Sequence, residues 1–282
     1  MSDETAVAGT THQVGTVHQG KVALVAGGTK GIGAAIAHEL LAQGATVVVC
    51  GRSKVAELPT AGGHTATFRA CDVREPDQLK ALVDGIVAEH GRLDICVHNA
   101  GGAPPSDAAT ASPRFAEKVV GLNLLAGVYV TQAANTVMQR QDDGGVIVVI
   151  GSVSGVRPSP GSAVYGAAKA GLHHLVSSLA IEWAPKVRVA SVIVGLIRTP
   201  DSDDHYGGAE RAEAIARTVP LGRMATVEDV AQAVAWVSSD AASYVSGTAI
   251  TLHGADAWPS WLYAAPDAAY VPERPIPPLP PK

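Results

Sequence analysis

Short apolar runs rich in Val recur along the chain, each separated from the next by a longer stretch of helical period, and this alternation restricts the fold more than any other feature. The runs Lys21 to Ala26, Ala45 to Cys50, Thr65 to Ala70, Leu93 to His98, Val146 to Ser152, Val187 to Val194 and Ala249 to Leu252 predict strands. Helices are expected at Gly33 to Gln43, Pro76 to His90, Pro113 to Arg140, Ala163 to Ala184 and Val227 to Ser238. Runs that are apolar throughout suit strands buried on both faces, which a β-α-β order achieves as a parallel sheet covered by helices on each side. The expected fold is α/β, a doubly wound parallel sheet in three layers, with ligands beyond the carboxyl ends of the strands.

Hydrophobic residues make up 47% of the 282-residue chain, enough for a substantial core, and neither a repeat nor a break in composition marks a second domain. The expected division is a flexible arm at residues 1–19, one domain at 20–262 and a Pro-rich tail at 263–282. A net charge of -5 with few charged residues offers nothing to nucleic acid or an anionic membrane surface, so small molecules and other protein chains are the expected partners. The polar start and the lack of a long apolar stretch predict a soluble cytoplasmic protein. Cys50, Cys71 and Cys96 are far apart in sequence and read as buried small hydrophobes in a reducing compartment, without zinc spacing. Asp201, Asp203, Asp204 and His205 read as solvated residues of a lid spanning roughly Thr199 to Thr218, and no metal site is expected.

Directly after the first strand comes Ala26-Gly27-Gly28-Thr29-Lys30-Gly31-Ile32-Gly33, leading into a helix. Glycines let the backbone turn tightly and approach a pyrophosphate, and the helix N-terminus offers free N–H groups, so the expected architecture is Rossmann-like. The second strand ends at Gly51-Arg52, where an acidic side chain would bind the ribose hydroxyls of NAD and repel a 2′-phosphate. Arg52, helped by Lys30, favours that phosphate; the expected cofactor is NADP(H), with NAD(H) as the second choice.

Tyr165 and Lys169 stand four apart on a helix, so their side chains share a face. Lowering a phenol from its ordinary pKa of about 10 toward neutrality takes roughly 4 kcal/mol. An ammonium about 4 Å away at an effective dielectric of about 20 supplies an interaction of that order. Such a tyrosine is suited to giving a proton to a carbonyl oxygen, or taking one from an alcohol. Ser152, at the carboxyl end of a buried strand, can hold the substrate oxygen beside it. Asn123 falls inside a helical segment, an unfavourable place for an amide unless it bonds outside its own helix, and a water on a proton path is one candidate.

With the glycine loop, Ser152, Tyr165 and Lys169 in this order, the chain resembles the short-chain dehydrogenase/reductase family in its compact single-domain form. The likeness runs from Lys21 to Ala255 and includes Cys71-Asp72-Val73, His98-Asn99-Ala100-Gly101, Gly195 to Thr199, Pro220 to Met224 and Tyr244 to Gly247. It implies Tyr165 as proton donor, Lys169 on the nicotinamide ribose and lowering the tyrosine pKa, Ser152 orienting substrate, and Asn123 completing a proton relay. It also implies cofactor contacts from Gly27, Thr29, Lys30, Gly31, Ile32, Gly33, Arg52, Asp72, Val73, Asn99, Ala100, Gly101, Gly195, Ile197 and Thr199, with Asp72 at the adenine and Thr199 at the carboxamide. A homotetramer, or else a dimer, is the implied assembly.

Ala26, His98, Val194 and His253 depart from the family's usual Thr, Asn, Pro and Asp. The implied activity interconverts a ketone and a secondary alcohol, with a 3-oxoacyl thioester as one substrate class and Arg157 as a candidate for an anionic group on its carrier. A non-catalytic dinucleotide sensor on the same fold is the other reading.

Overall fold

The computed structural model describes residues 17–199, 202 and 206–257. Seven strands form one parallel sheet: β1 (Val22–Ala26), β2 (Thr46–Gly51), β3 (Thr67–Ala70), β4 (Ile95–His98), β5 (Gly145–Ser152), β6 (Val187–Val194) and β7 (Ala249–Leu252). Their order is β3-β2-β1-β4-β5-β6-β7, so the chain starts mid-sheet, runs to one edge and returns to build the other half. The reversal lies between β1 and β4, where the connections leave in opposite directions and open a crevice at the strands' carboxyl ends.

The helices are α1 (Gly31–Ala42), α2 (Pro76–His90), α3 (Pro113–Val120), α4 (Ala126–Met138), α5 (Ala163–Trp183), α6 (Ala209–Ala216) and α7 (Val227–Ser238). Two apolar layers cover the sheet. Leu79, Val83, Val130, Ala134, Leu172 and Val176 of α2, α4 and α5 pack on one face, and Ile36, Leu40, Val230 and Val234 of α1 and α7 pack on the other. β1 and β4 are buried along their whole length, which explains their unbroken hydrophobicity. This is the Rossmann-like, three-layer, single-domain α/β fold expected.

Three details differ from the sequence reading. The expected helix from Pro113 to Arg140 ends at Met138 and is widened at Gly121–Leu125 into a π-turn, between α3 and α4. Thr65 belongs to a small antiparallel pair, Thr60–Ala61 with His64–Thr65, so β3 starts two residues later. Within the stretch expected as a flexible arm, His18 is buried, with its Nε2 at 3.1 Å from the Ala235 carbonyl of α7 and 3.3 Å from Ser238 Oγ. Residues 1–16 and the Pro-rich tail lie outside the described residues.

Candidate active site

The glycine loop leaves β1 at the crevice, and close backbone approach explains its composition. Gly27 takes φ +76°, and a Cβ there would stand 2.9 Å from the Ala100 backbone. A Cβ on Gly33 would stand 2.1 Å from the Gly27 carbonyl and 2.6 Å from Asn99 Nδ2. That amide donates to the Gly27 carbonyl at 2.9 Å, while the backbone amides of Asn99 and Ala100 both donate to the Ala26 carbonyl at 3.0 Å. The loop is thereby pinned from the end of β4, even with His98 in place of the usual residue. Lys30 precedes α1 without capping it through its side chain, and the first-turn amides of an α-helix have no partner within the helix itself. The crowded Gly27 and Gly33 at the N-terminus of α1 fit the close approach of a pyrophosphate.

Further along the same rim, Arg52 and Lys30 are exposed, and Thr29 lies beside Gly51, whose Cβ would meet Thr29 Oγ1 at 3.3 Å. Asp72 is held by Arg74, a partner that sequence reasoning missed: Arg74 Nε donates to Oδ1 at 2.9 Å and the guanidinium NH2 to Oδ2 at 2.5 Å. This pair, with a smaller pull from Arg52, brings the Asp72 carboxyl down to about 2. Val73 is buried behind it. Beneath the rim Cys50 and Cys71, distant in sequence, are both buried, and the Cys71 amide donates to the Gly51 carbonyl at 3.0 Å. On the opposite side Gly195 donates to the Leu252 carbonyl at 2.8 Å, and a Cβ on it would meet His253. Ile197 pairs with Ala225 and exchanges hydrogen bonds with the Tyr206 hydroxyl, while Ser202 ties both backbone groups of Thr199. Asp201, Asp203, Asp204 and His205 lie outside the described residues.

Ser152, Tyr165 and Lys169 meet where β5 ends and α5 begins. Lys169 is almost wholly buried, donates from Nζ to the Ile150 carbonyl at 2.9 Å, and lies 5.9 Å from the centre of the Tyr165 ring. Burial brings its ammonium down to about 8. Burial pushes the Tyr165 phenol up, and the neighbouring Ser152 hydroxyl pulls it partly back. Lys169 is not among the causes of this shift, in contrast to the downward push expected from it. A phenol with this bias is protonated at neutral pH, as a proton donor must be.

Asn123 lies fully buried in the π-turn. Its Oδ1 accepts from the Gly102 amide at 2.7 Å, and its Nδ2 donates to the carbonyls of Gly102 and Val119 at 3.0 and 2.9 Å. The widened turn gives the amide partners outside the helix ladder, a recurrent feature of functional sites. A Cβ on Gly101 would stand 3.0 Å from Asn123 Oδ1 and 3.3 Å from Lys169 Nζ, so the two side chains converge on that glycine. The buried His98 and the half-buried His173 flank the lysine. His98 has no partner at either ring nitrogen among the described residues, and burial and Lys169 bring it down to about 3. His173 accepts from the Ser152 amide at 3.3 Å.

A narrow cleft opens beside the Tyr165 ring, walled by Ala103, Pro104, Ala108, Ala111, Phe115 and Val119 with the hydroxyls of Ser106 and Ser162. Residues 154–159 line a second, more open cleft together with Ala163, Gly166, Ala167 and Ala170. Arg157, considered for an anionic substrate group, is engaged elsewhere: its guanidinium grips the buried Asp256 carboxylate with bonds of 2.8 and 2.9 Å. Arg157→Ala removes both guanidinium bonds from that buried carboxylate and is expected to lower stability by about 3 kcal/mol in urea unfolding. A change below about 0.5 kcal/mol, the range of an ordinary surface substitution, would contradict this structural assignment.

A family model described as enoyl-(acyl carrier protein) reductase matches residues 26–254. A short-chain type dehydrogenase/reductase from Mycobacterium ulcerans has a solved structure that superimposes with a TM-score of 0.80 at 32% identity, covering 91% of this chain and 97% of that one. The chain belongs to the short-chain dehydrogenase/reductase family. As a short-chain dehydrogenase/reductase it is an NAD(P)-dependent enzyme acting on alcohol and carbonyl groups. Tropinone reductase-like 3 of Erythroxylum coca is 33% identical over 247 residues, 86% of this chain and 95% of its own. The 3beta-hydroxysteroid dehydrogenase 1 of Eggerthella lenta is 35% identical over 246 residues, 84% and 93% of the two chains. Neither the site nor these relatives favour the sensor reading. No helix among the described residues is long and apolar enough to cross a membrane.

Proposed function

We propose that this enzyme is an NADP(H)-dependent carbonyl reductase that converts a ketone to a secondary alcohol, with Tyr165 as the acid. The observation that carries the reading is the convergence of Ser152, Tyr165 and the buried Lys169 at the end of β5. NADP(H), when bound, supplies the hydride. Gly27, Thr29, Gly31, Ile32 and Gly33 hold its pyrophosphate, Lys30 and Arg52 its 2′-phosphate, and Asp72 and Val73 border its adenine. Asn99, Ala100, Gly101, Gly195, Ile197 and Thr199 line the rest of its course.

The Ser152 hydroxyl orients the substrate oxygen, the protonated phenol of Tyr165 gives that oxygen its proton, and Lys169 holds the nicotinamide ribose. Asn123, clamped on Gly102, keeps the backbone beside Lys169 in place and closes the proton path. The reverse reaction uses the same groups in the opposite sense. The walls of the cleft beside Tyr165 suit a small apolar substituent on the carbonyl carbon, and no cation among its lining residues invites a charged one.

NADPH consumption with a panel of methyl ketones, and NADP reduction with the matching alcohols, tests the activity. Loss of NADPH absorbance with at least one ketone is expected; none with any ketone or alcohol would overturn the reading. For the cofactor, Arg52→Asp is expected to lower the NADPH over NADH ratio of kcat/KM by about tenfold to a hundredfold, the worth of a charge-assisted phosphate contact. An unchanged ratio counts against the phosphate role.

The assembly we propose is a homotetramer. Leu125 beside α4, Ile181 on α5, Trp236 on α7 and Tyr244 beyond it are large apolar side chains turned to solvent, available to two kinds of subunit contact. The three unpaired cysteines suit the reducing cytoplasm as its location.

A further inference from the structure

We infer that His173 is a positioning residue for Ser152: its imidazole takes the place of a missing strand at the end of β5 and fixes the backbone that carries the Ser152 hydroxyl. The inference rests on the carbonyl-reductase reading, because the role of Ser152 belongs to it.

The need for such a residue follows from the sheet. β4 ends at His98, opposite Val149, so β5 runs three residues past its neighbour. Val146 donates to the Asp94 carbonyl, which shows that the even-numbered residues of β5 turn their backbone groups toward β4. By the same parity the Ile150 carbonyl and the Ser152 backbone face the space beyond the end of β4. Unpaired backbone groups this close to the core are costly, and a partner is expected for each. Two side chains of α5, one helical turn apart, supply them. Lys169 Nζ donates to the Ile150 carbonyl at 2.9 Å, and the Ser152 amide donates to His173 Nε2 at 3.3 Å.

The ring has a fitted seat. A Cβ on Gly151 would stand 2.4 Å from His173 Nε2, and one on Gly155 would stand 2.7 Å from Cε1. Accepting at Nε2 requires the neutral ring with its proton on Nδ1, which is buried and without a partner among the described residues. Burial and the Lys169 charge hold the ring neutral, bringing it down to about 4. Ser152 is thus held twice: its amide by His173, and its hydroxyl by the Ser154 amide, which donates to it at 3.2 Å.

His173→Phe keeps a ring in the seat but removes the acceptor, whereas His173→Gln offers an amide oxygen near the position of Nε2. His173→Phe is expected to lower kcat for ketone reduction by about tenfold to a hundredfold, the cost of leaving a buried donor unpaired beside the reacting groups, with the KM for NADPH within about twofold. His173→Gln is expected to restore most of the loss. Exchange of the Ser152 amide, followed by NMR on the same proteins, reads the bond without turnover and is expected to quicken in His173→Phe and slow again in His173→Gln. Wild-type kcat in His173→Phe, an equal loss in both variants, or unchanged Ser152 exchange would overturn the inference. A wild-type enzyme with no turnover but with the expected exchange pattern would instead overturn the carbonyl-reductase reading and leave the His173 bond standing.

Discussion

Tyr165→Phe is expected to bind NADPH as the wild type does and to lose about a hundredfold to ten-thousandfold in kcat for ketone reduction, the contribution of a placed general acid. The expectation follows from the environment of the hydroxyl. Burial biases the phenol toward its protonated form, with the Ser152 hydroxyl pulling the other way, and the substituted ring would keep the packing while losing the proton. Fluorescence titration of NADPH beside steady-state kinetics separates the two effects. Activity within about tenfold of wild type would remove Tyr165 from the role of acid, because that is less than general acid catalysis contributes. A parallel loss of NADPH affinity would point to a damaged pocket.

Gly33→Ala is expected to weaken NADPH binding by more than about a hundredfold while the sheet still forms, a loss of roughly 3 kcal/mol. The added methyl would lie 2.1 Å from the Gly27 carbonyl of the glycine loop and 2.6 Å from Asn99 Nδ2, which pins that loop from the end of β4. Neither can yield without breaking the hydrogen bond between them, 2.9 Å long, so the loop itself must move. Gly31 offers the control. Nothing lies within 4 Å of a Cβ there, although its φ of +52° still disfavours a side chain. Gly31→Asn, which tolerates that backbone conformation, is therefore expected to cost far less than Gly33→Ala. Equal NADPH affinities in wild type and Gly33→Ala would show that the cofactor does not lie against this loop.

Much of this arrangement is legible in the sequence because it is local. The Val-rich runs announce strands buried on both faces, the helical spacing of Tyr165 and Lys169 places them on one face, and the glycine loop follows directly from the strand it leaves. The parts that escaped depend on residues distant in sequence or on small departures from regular geometry. Ser152 and His173 are 21 positions apart, and no local pattern says that β5 will outrun β4 and need a partner from α5. Arg157 and Asp256 are 99 apart, which is why a cation free in the sequence is an internal brace in the fold. Arg74 lies two residues from Asp72, yet only the turn after β3 brings its guanidinium onto the carboxylate. The π-turn around Asn123 adds one residue to one turn of an otherwise continuous helix, and hydrophobic periodicity has no resolution at that scale. The Pro-rich end and the acidic part of the lid lie outside the described residues.

The most direct test of the central claim is to follow deuterium from NADPH labelled at its transferable position into the product alcohol, with wild-type enzyme and Tyr165→Phe side by side. The account predicts one deuterium on the carbinol carbon of the product from the wild type and almost no labelled product from the variant. An alcohol without label, or equal labelled product from both proteins, would contradict it.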